Sequence, residues 1–254
     1  RETGGGFKLF YNGNDPKRNG VGVILKKDLA ENLIQVNRIS DRIIWLKLET
    51  NQEIMNIISA YAPQQQCNKE QKEAFWKEMD TVLSNLSREE RVFVGMDANG
   101  HVGSGNVGNE QWMGKNGFGQ KNEDGEELIK FVTRADMVIL NTFFKKPNEH
   151  PITYKSGGRS TQIDYILCWR KKLKEAFNCK TVPGETVTTQ HRPLICKSKI
   201  ARQTKRKAVT TPTTCWWRLK EREVCEEFAE EVNKALGPFF PRDWEGTSNA
   251  IYSI

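Results

Sequence analysis

Polar residues with side chains able to do chemistry stand at the ends of several apolar runs. Tyr61 and Gln64 close SAYAPQ, Asp97 and Asn99 lie in VFVGMDANGH, Asp164 sits among apolar neighbours in STQIDYIL, and Gln190 and His191 lie in TTQHRPL. Each has an ordinary reading by itself. Asp-x-Asn-Gly makes turns, a strand Asp is often satisfied by nearby backbone, a Tyr before x-Pro packs, and a His before Arg sits on the surface. Together, at the ends of separate strands, they point to one converging pocket. Magnesium prefers oxygen ligands and keeps several waters, so Asp97 and Asn99 suit it as ligands or water-orienting groups. Their spacing of two puts both side chains on one side of an extended strand. An imidazole held by a carboxylate keeps its proton and can offer charge to a phosphate oxygen, which casts Asp164 behind His191.

These residues need strands to carry them. Short β-type runs occur at 7–11, 20–25, 43–49 and 54–61, bounded by turn residues such as Asn12-Gly13-Asn14. Phe75, Met79, Val82, Leu83 and Leu86 recur at helical spacing between charged residues, which predicts a helix leading into the strand at 92–97. Seven glycines between Gly100 and Gly119 mark a functional or floppy loop, with Trp112 exposed. A second helix starts over Glu126 to Phe131, VILNTFF, PITY and QIDYILC read as strands, and 193–198 is the last core strand. Helices interspersed irregularly with strands favour an α/β two-sheet sandwich flanked by helices over a doubly wound parallel sheet.

The chain has 254 residues and 37% hydrophobic content, enough for one sizeable core, expected over 1–199. No apolar run is long enough to span a membrane, so no membrane partner is expected. The six cysteines show no C-x-x-C pair, which fits reduced thiols. The net charge of +7 comes from residues 186–220, which hold nine Lys or Arg and no acid, leaving −2 elsewhere. Lys205, Arg206 and Lys207 in this segment, with Arg159 and Arg192, are candidate contacts to a DNA backbone, although a basic solvated linker reads the same way. Residues 200–215 read as that linker. Residues 216–254 form a C-terminal helical segment, with Trp217, Val224, Phe228, Val232 and Leu236 near one face of 216–236, a candidate surface for a protein partner.

In chain order, Y-x-P, D-x-N, I-D-Y and the final His resemble the endonuclease/exonuclease/phosphatase superfamily. KRNGVGVIL, ISAYAPQ, DANGHVG, NTFFKKPNEHPITYKSGGRSTQIDYIL and TTQHRPL are similar to the apurinic-endonuclease-like domain of RTE-clade non-LTR retrotransposons. They are similar too to the craniofacial development protein 2 family, which itself resembles a domesticated copy of such an element. The resemblance runs from about residue 4 to residue 236. It implies a four-layered α/β sandwich of the DNase I type and Mg2+-dependent nicking of DNA in the nucleus, with Mn2+ as a substitute. It also implies that Tyr61 contacts the scissile phosphate, Asp97 and Asn99 orient the attacking water or a metal, and Asp164 orients His191.

Two departures bear on activity. The family's first strands carry an Asn and a Q-E-T whose Glu is a principal metal ligand. Glu2 lies only 18 positions before Gly20, with no strand ahead and three glycines after it, so it reads as a frayed terminus of an N-terminally truncated domain. Gln190 stands where most of the superfamily has Asp, and an amide brings no charge to a cation, so the metal site of Asp97, Asn99 and Gln190 is weakened. The expectation is a weak or inactive endonuclease domain. A non-catalytic DNA- or protein-binding module and a small-molecule phosphoesterase are the alternatives. Missing first strands would also leave a sheet edge open.

Overall fold

A computed structural model describes residues 2–13, 15, 19–50, 53–147, 149–185, 190–199 and 219–236. The chain divides into two units, residues 1–203 and 204–254.

In the first unit, β1 (Phe7–Asn12) and β2 (Val21–Lys26) form an antiparallel pair. Val21, Val23 and Leu25 alternate inward with Gly22, Ile24 and Lys26 outward, the period-two pattern of a strand with one wet face. Glu2 bridges back to Lys8 and the Thr3 N–H bonds the Phe7 carbonyl, so the start of the chain is folded onto β1 and Glu2 is not a frayed end.

One turn of helix, α1 (Lys27–Ala30), leads to β3 (Leu33–Ser40), then β4 (Ile43–Thr50) and β5 (Glu53–Tyr61). β3 gave no sequence pattern because it is an edge strand, irregularly buried and broken by register shifts near each end. β4 reads as a continuous apolar run because both its faces are covered. The helix α2 (Lys69–Ser84) opens on a capping box of Asn68 and Gln71, and carries β5 over to the parallel strand β6 (Arg91–Asp97). α3 (Glu123–Arg134) starts where the Asn122 side chain accepts the Gly125 N–H.

After α3 come β7 (Met137–Ile139), the hairpin β8 (Tyr154–Ser156) and β9 (Arg159–Thr161), and β10 (Asp164–Trp169). The hairpin β11 (Ala176–Thr181) and β12 (Leu194–Ser198) completes this unit. The central sheet has six strands in the order β3-β4-β5-β6-β10-β7. Phe75, Met79, Leu128 and Phe131 of α2 and α3 pack with Val94, Met96 and Leu167 on one face. On the other face, Phe10, Val23 and Leu25 cover Ile44, Leu46 and Leu48, while Cys179 and its neighbours cover Val138 and Cys168. The second β layer is thus two separate antiparallel pairs. A gap of about 420 Å³ separates them, edged by Val21, Gly22 and Leu194 and floored by Ser59, Gly95 and Ile166.

VILNTFF is a strand only as far as Ile139, after which Leu140–Phe143 is a 3-10 turn. Its Asn141 side chain takes over the strand's pairing role, donating to the Asp164 carbonyl at 2.9 Å and accepting the Ile166 N–H at 3.2 Å. The glycine-rich stretch is ordered rather than floppy. Met113 is buried and bridges Ile139, and the Gly114 N–H bonds the Thr142 hydroxyl at 2.8 Å. Trp112 is half-buried against the core under the Arg170 guanidinium, not exposed.

In the second unit, α4 (Arg222–Leu236) carries Val224, Phe228 and Val232 at intervals of four, on one helical face. No described helix is long and apolar enough to cross a membrane.

Candidate active site

Register builds the site. β5 and β6 run parallel with Tyr61 opposite Asp97, and β6 and β10 run antiparallel with Asp97 opposite Asp164. Residues directly opposite on neighbouring strands face the same way, so Tyr61, Asp97 and Asp164 form one row across the sheet edge. His191 joins from outside this sheet. Its Nδ1 lies 3.1 Å from Asp164 Oδ2, and because a carboxylate only accepts, Nδ1 carries the proton. Ligand atoms of Asp97, Asp164 and His191 all lie within 4.8 Å of one another.

The segments around these groups are tied down locally. β6 ends in an Asx turn, with Asp97 Oδ1 accepting the Asn99 N–H at 3.0 Å, while Asn99 takes a left-handed φ of 48° that asparagine tolerates. The turn reading of D-x-N-G therefore holds, and the same Asp97 and Asn99 line a cleft. The Asn99 amide donates to the Ala62 carbonyl at 2.8 Å and the Gln190 amide to the Ser156 hydroxyl at 2.9 Å, which leaves their oxygens as acceptors. Arg42 stacks 5.2 Å from the Tyr61 ring, and the Tyr61 hydroxyl accepts from Gln64 at 3.0 Å.

β8 presents His191. The Lys155 N–H bonds the Gln190 carbonyl at 2.9 Å, the Arg192 N–H bonds the Thr153 carbonyl at 2.8 Å, and the Tyr154 ring meets the imidazole edge-on at 4.9 Å. The fully buried Thr153 hydroxyl also accepts the Ile163 and Asp164 N–H groups, both at 3.0 Å. One strand thus fixes both members of the His–Asp pair. Behind them the buried Tyr165 hydroxyl donates to the Gln162 carbonyl at 2.8 Å and accepts the Val102 N–H at 3.2 Å, anchoring the glycine-rich segment.

These groups line a cleft of about 680 Å³, with Tyr61, Asp97, Asn99, Gln190, His191 and Arg159 on its wall. Arg159 follows the β8–β9 turn, where Gly157 and Gly158 both have positive φ, as a two-residue type I′ hairpin requires. Arg192 is not on that wall. Its guanidinium bonds the Glu149 carbonyl and carboxylate, each at 3.0 Å. Lys205, Arg206 and Lys207 lie outside the described residues. Asn141, Thr153, Tyr154 and Arg42 were missed in the sequence, since their roles come from contacts 11 to 37 residues away with no local pattern.

The electrostatics favour a cation. Burial, and then the charge of Asp164, push the Asp97 carboxyl up to about 6, against an ordinary 3.8. The hydrogen bond to Asp164 raises the His191 imidazole above its usual value. Two crowded carboxylates beside neutral amide oxygens are a donor set that suits a hard divalent cation, which would relieve their repulsion.

A six-stranded mixed sheet with helices on one face and antiparallel β pairs on the other is the architecture of the DNase I-like fold, and defines an endonuclease-like α/β domain. Residues 55–195, more than half of the chain, match the endonuclease-reverse transcriptase family, and the chain belongs to that family. It is 29% identical over 232 residues to craniofacial development protein 2 of Bos taurus, covering 89% of this chain and 38% of that protein. It is 30% identical over 198 residues to the Tragulus javanicus protein of the same name, covering 76% and 34%. The chain therefore spans less than two fifths of these relatives. Among solved structures, the endonuclease domain of TRAS1, a telomere-specific non-LTR retrotransposon, matches with TM-score 0.56 at 15% identity, over 77% of this chain and 81% of that one. An AP endonuclease from Archaeoglobus fulgidus matches with TM-score 0.56 at 16% identity, over 77% and 80%. The 3'-5' exonuclease NExo from Neisseria meningitidis matches at 0.57 and 12%, over 76% and 80%. At these identities the structural likeness establishes the fold.

Proposed function

We propose that this domain is a DNA endonuclease-type phosphodiesterase of retrotransposon origin, slow in this chain, acting in the nucleus with Mg2+ or, as a substitute, Mn2+. The observation that carries the reading is the register row of Tyr61, Asp97 and Asp164 with His191 hydrogen-bonded to its far end. In the proposed reaction Tyr61 holds a phosphate oxygen and Asp97, with Asn99, orients the attacking water. Protonated His191, steadied by Asp164, offers positive charge to the phosphoryl oxygen as it gains negative character. Asp97, Asn99 and Gln190 would hold the divalent cation, which when bound neutralises charge developing on the phosphate. Turnover is slow because Asp164 is committed to His191. Asp97 is then the one carboxylate left to meet the cation, because Asn99 and Gln190 offer only uncharged amide oxygens.

The test is nicking of supercoiled plasmid by the full chain with Mg2+ and with Mn2+. Slow nicking that His191→Ala lowers by about 10²-fold or more supports the reading. No nicking with either metal overturns it. The binding-module reading is favoured by the same sparse donor set. It predicts salt-dependent DNA association that survives Asp97→Ala and fails when Lys205, Arg206 and Lys207 are neutralised together. In cells, exclusion of the tagged chain from the nucleus would count against the assigned compartment.

A further inference from the structure

Outside the cleft, β11 and β12 set two thiols face to face. Cys179 and Cys196 are directly opposed in this antiparallel pair. The Val182 N–H bonds the Pro193 carbonyl, which marks a hydrogen-bonded position of the ladder. Such positions alternate, so Lys180 and Ile195 occupy the next one and Cys179 and Cys196 fall at a non-hydrogen-bonded position. At such positions opposed Cα atoms approach to about 4.5 Å, inside the span of about 4.4 to 6.8 Å that a disulfide bridges. Both side chains face the same apolar cluster, with Val138, Leu140 and Cys168. Cys179 is 1% exposed, whereas Cys196 is only half-buried, so a small oxidant meets Cys196 first.

The chemistry is polarised in the same direction. The Cys179 thiol donates to the Cys196 sulfur, which lowers the Cys196 pKa and holds that of Cys179 far above the thiol range. Cys196 is the nucleophile of the pair and Cys179 the resolving thiol. Cys168, the third thiol of the cluster, is 2% exposed and directed at the Trp169 carbonyl, and burial pushes its pKa up to about 12. It stays out of the reaction.

We propose that Cys179 and Cys196 are a reversible redox pair that takes hydrogen peroxide as oxidant and closes to a cross-strand disulfide. The Cys196 thiolate attacks one peroxide oxygen, the O–O bond breaks, and the departing hydroxide takes a proton to become water, leaving a sulfenic acid on Cys196. The Cys179 sulfur, losing its proton, then attacks the Cys196 sulfur. The S–S bond forms, the S–O bond breaks, and that oxygen leaves as a second water. Two thiols lose two electrons and one peroxide becomes two waters. The ring closed from Cys179 to Cys196 includes Gln190 and His191, so oxidation restrains the segment that brings the imidazole to the cleft.

The experiment treats the full chain with about one equivalent of hydrogen peroxide and maps its peptides by mass spectrometry, with and without thiol reductant. The expected product lacks two hydrogens, joins the Cys179 and Cys196 peptides, and reverts on reduction. Cys179→Ser should stop at a Cys196 sulfenic acid that dimedone traps, while Cys196→Ser should leave Cys179 unoxidised. Amide exchange over 190–192 should slow in the oxidised wild type. Wild-type mapping stands even if a variant misfolds. A bridge that uses Cys168 or Cys67, or a wild type in which Cys179 and Cys196 stay reduced while other thiols react, overturns the proposal.

Discussion

Replacing Asp97 by asparagine should stabilise the metal-free fold at neutral pH while removing the proposed activity. Burial and the Asp164 charge raise the Asp97 pKa from 3.8 to about 6, so its ionised form is disfavoured by at most ~3 kcal/mol. The direction follows from linkage. Between the unfolded and folded pKa values the native state holds the extra proton, so native stability falls as pH rises through that window and stays low above it. Asparagine retains the acceptor for the Asn99 N–H and carries no charge. Urea titrations in the presence of a chelator should therefore show Asp97→Asn more stable than wild type by about 1–3 kcal/mol at pH 7, and indistinguishable near pH 4. Mg2+ should narrow the gap from the wild-type side, because a cation relieves the same repulsion. A destabilised Asp97→Asn at pH 7, or a difference that ignores pH, would refute the electrostatic account of the site.

Other consequences can be read separately. Asp164→Asn removes the group that raises the His191 pKa and a charge that raises that of Asp97, so NMR titration of metal-free protein should find both midpoints moved toward acid; an unmoved His191 midpoint would contradict the pairing. Tyr154→Ala should lower nicking by about tenfold through loosened His191, whereas Tyr154→Phe, which keeps the ring 4.9 Å from the imidazole, should restore it; equal losses would indicate a role for the hydroxyl instead. Arg91 is 2% exposed and pairs with Glu53 at 2.8 Å and with Glu175, so Arg91→Met should cost about 3 kcal/mol in chemical denaturation by leaving Glu53 nearly uncompensated. Gly125 lies where a Cβ would sit 1.8 Å from the His101 carbonyl, so Gly125→Ala should displace the segment after β6 and destabilise the domain, measurable as a lowered Tm.

Much of this domain was legible in sequence because local patterns carry it. Inward Val21, Val23 and Leu25 gave β2 its period of two, Phe75 to Leu83 gave α2 its helical stripe, and the acids and amides at strand ends marked the edge where the cleft lies. Edge strands and substitutions for strands are another matter. β3 has no clean alternation because one edge is unpaired in the sheet and both ends are irregular, and VILNTFF stops being a strand because the Asn141 side chain pairs in place of the backbone.

The residue types and their order along the chain were enough to assign the family and to lead to the proposed reaction, since an acid, an amide, a phenol and an imidazole together suit a phosphate-cleaving site. Only the tertiary structure decided that Tyr61, Asp97 and Asp164 share one row, that β8 holds His191 against Asp164, and that Arg192 turns to Glu149 instead of the cleft. The same folding set Cys179 opposite Cys196. Cross-strand register is fixed by packing between segments dozens of residues apart, and a slip of one residue would send each of these side chains to the opposite face.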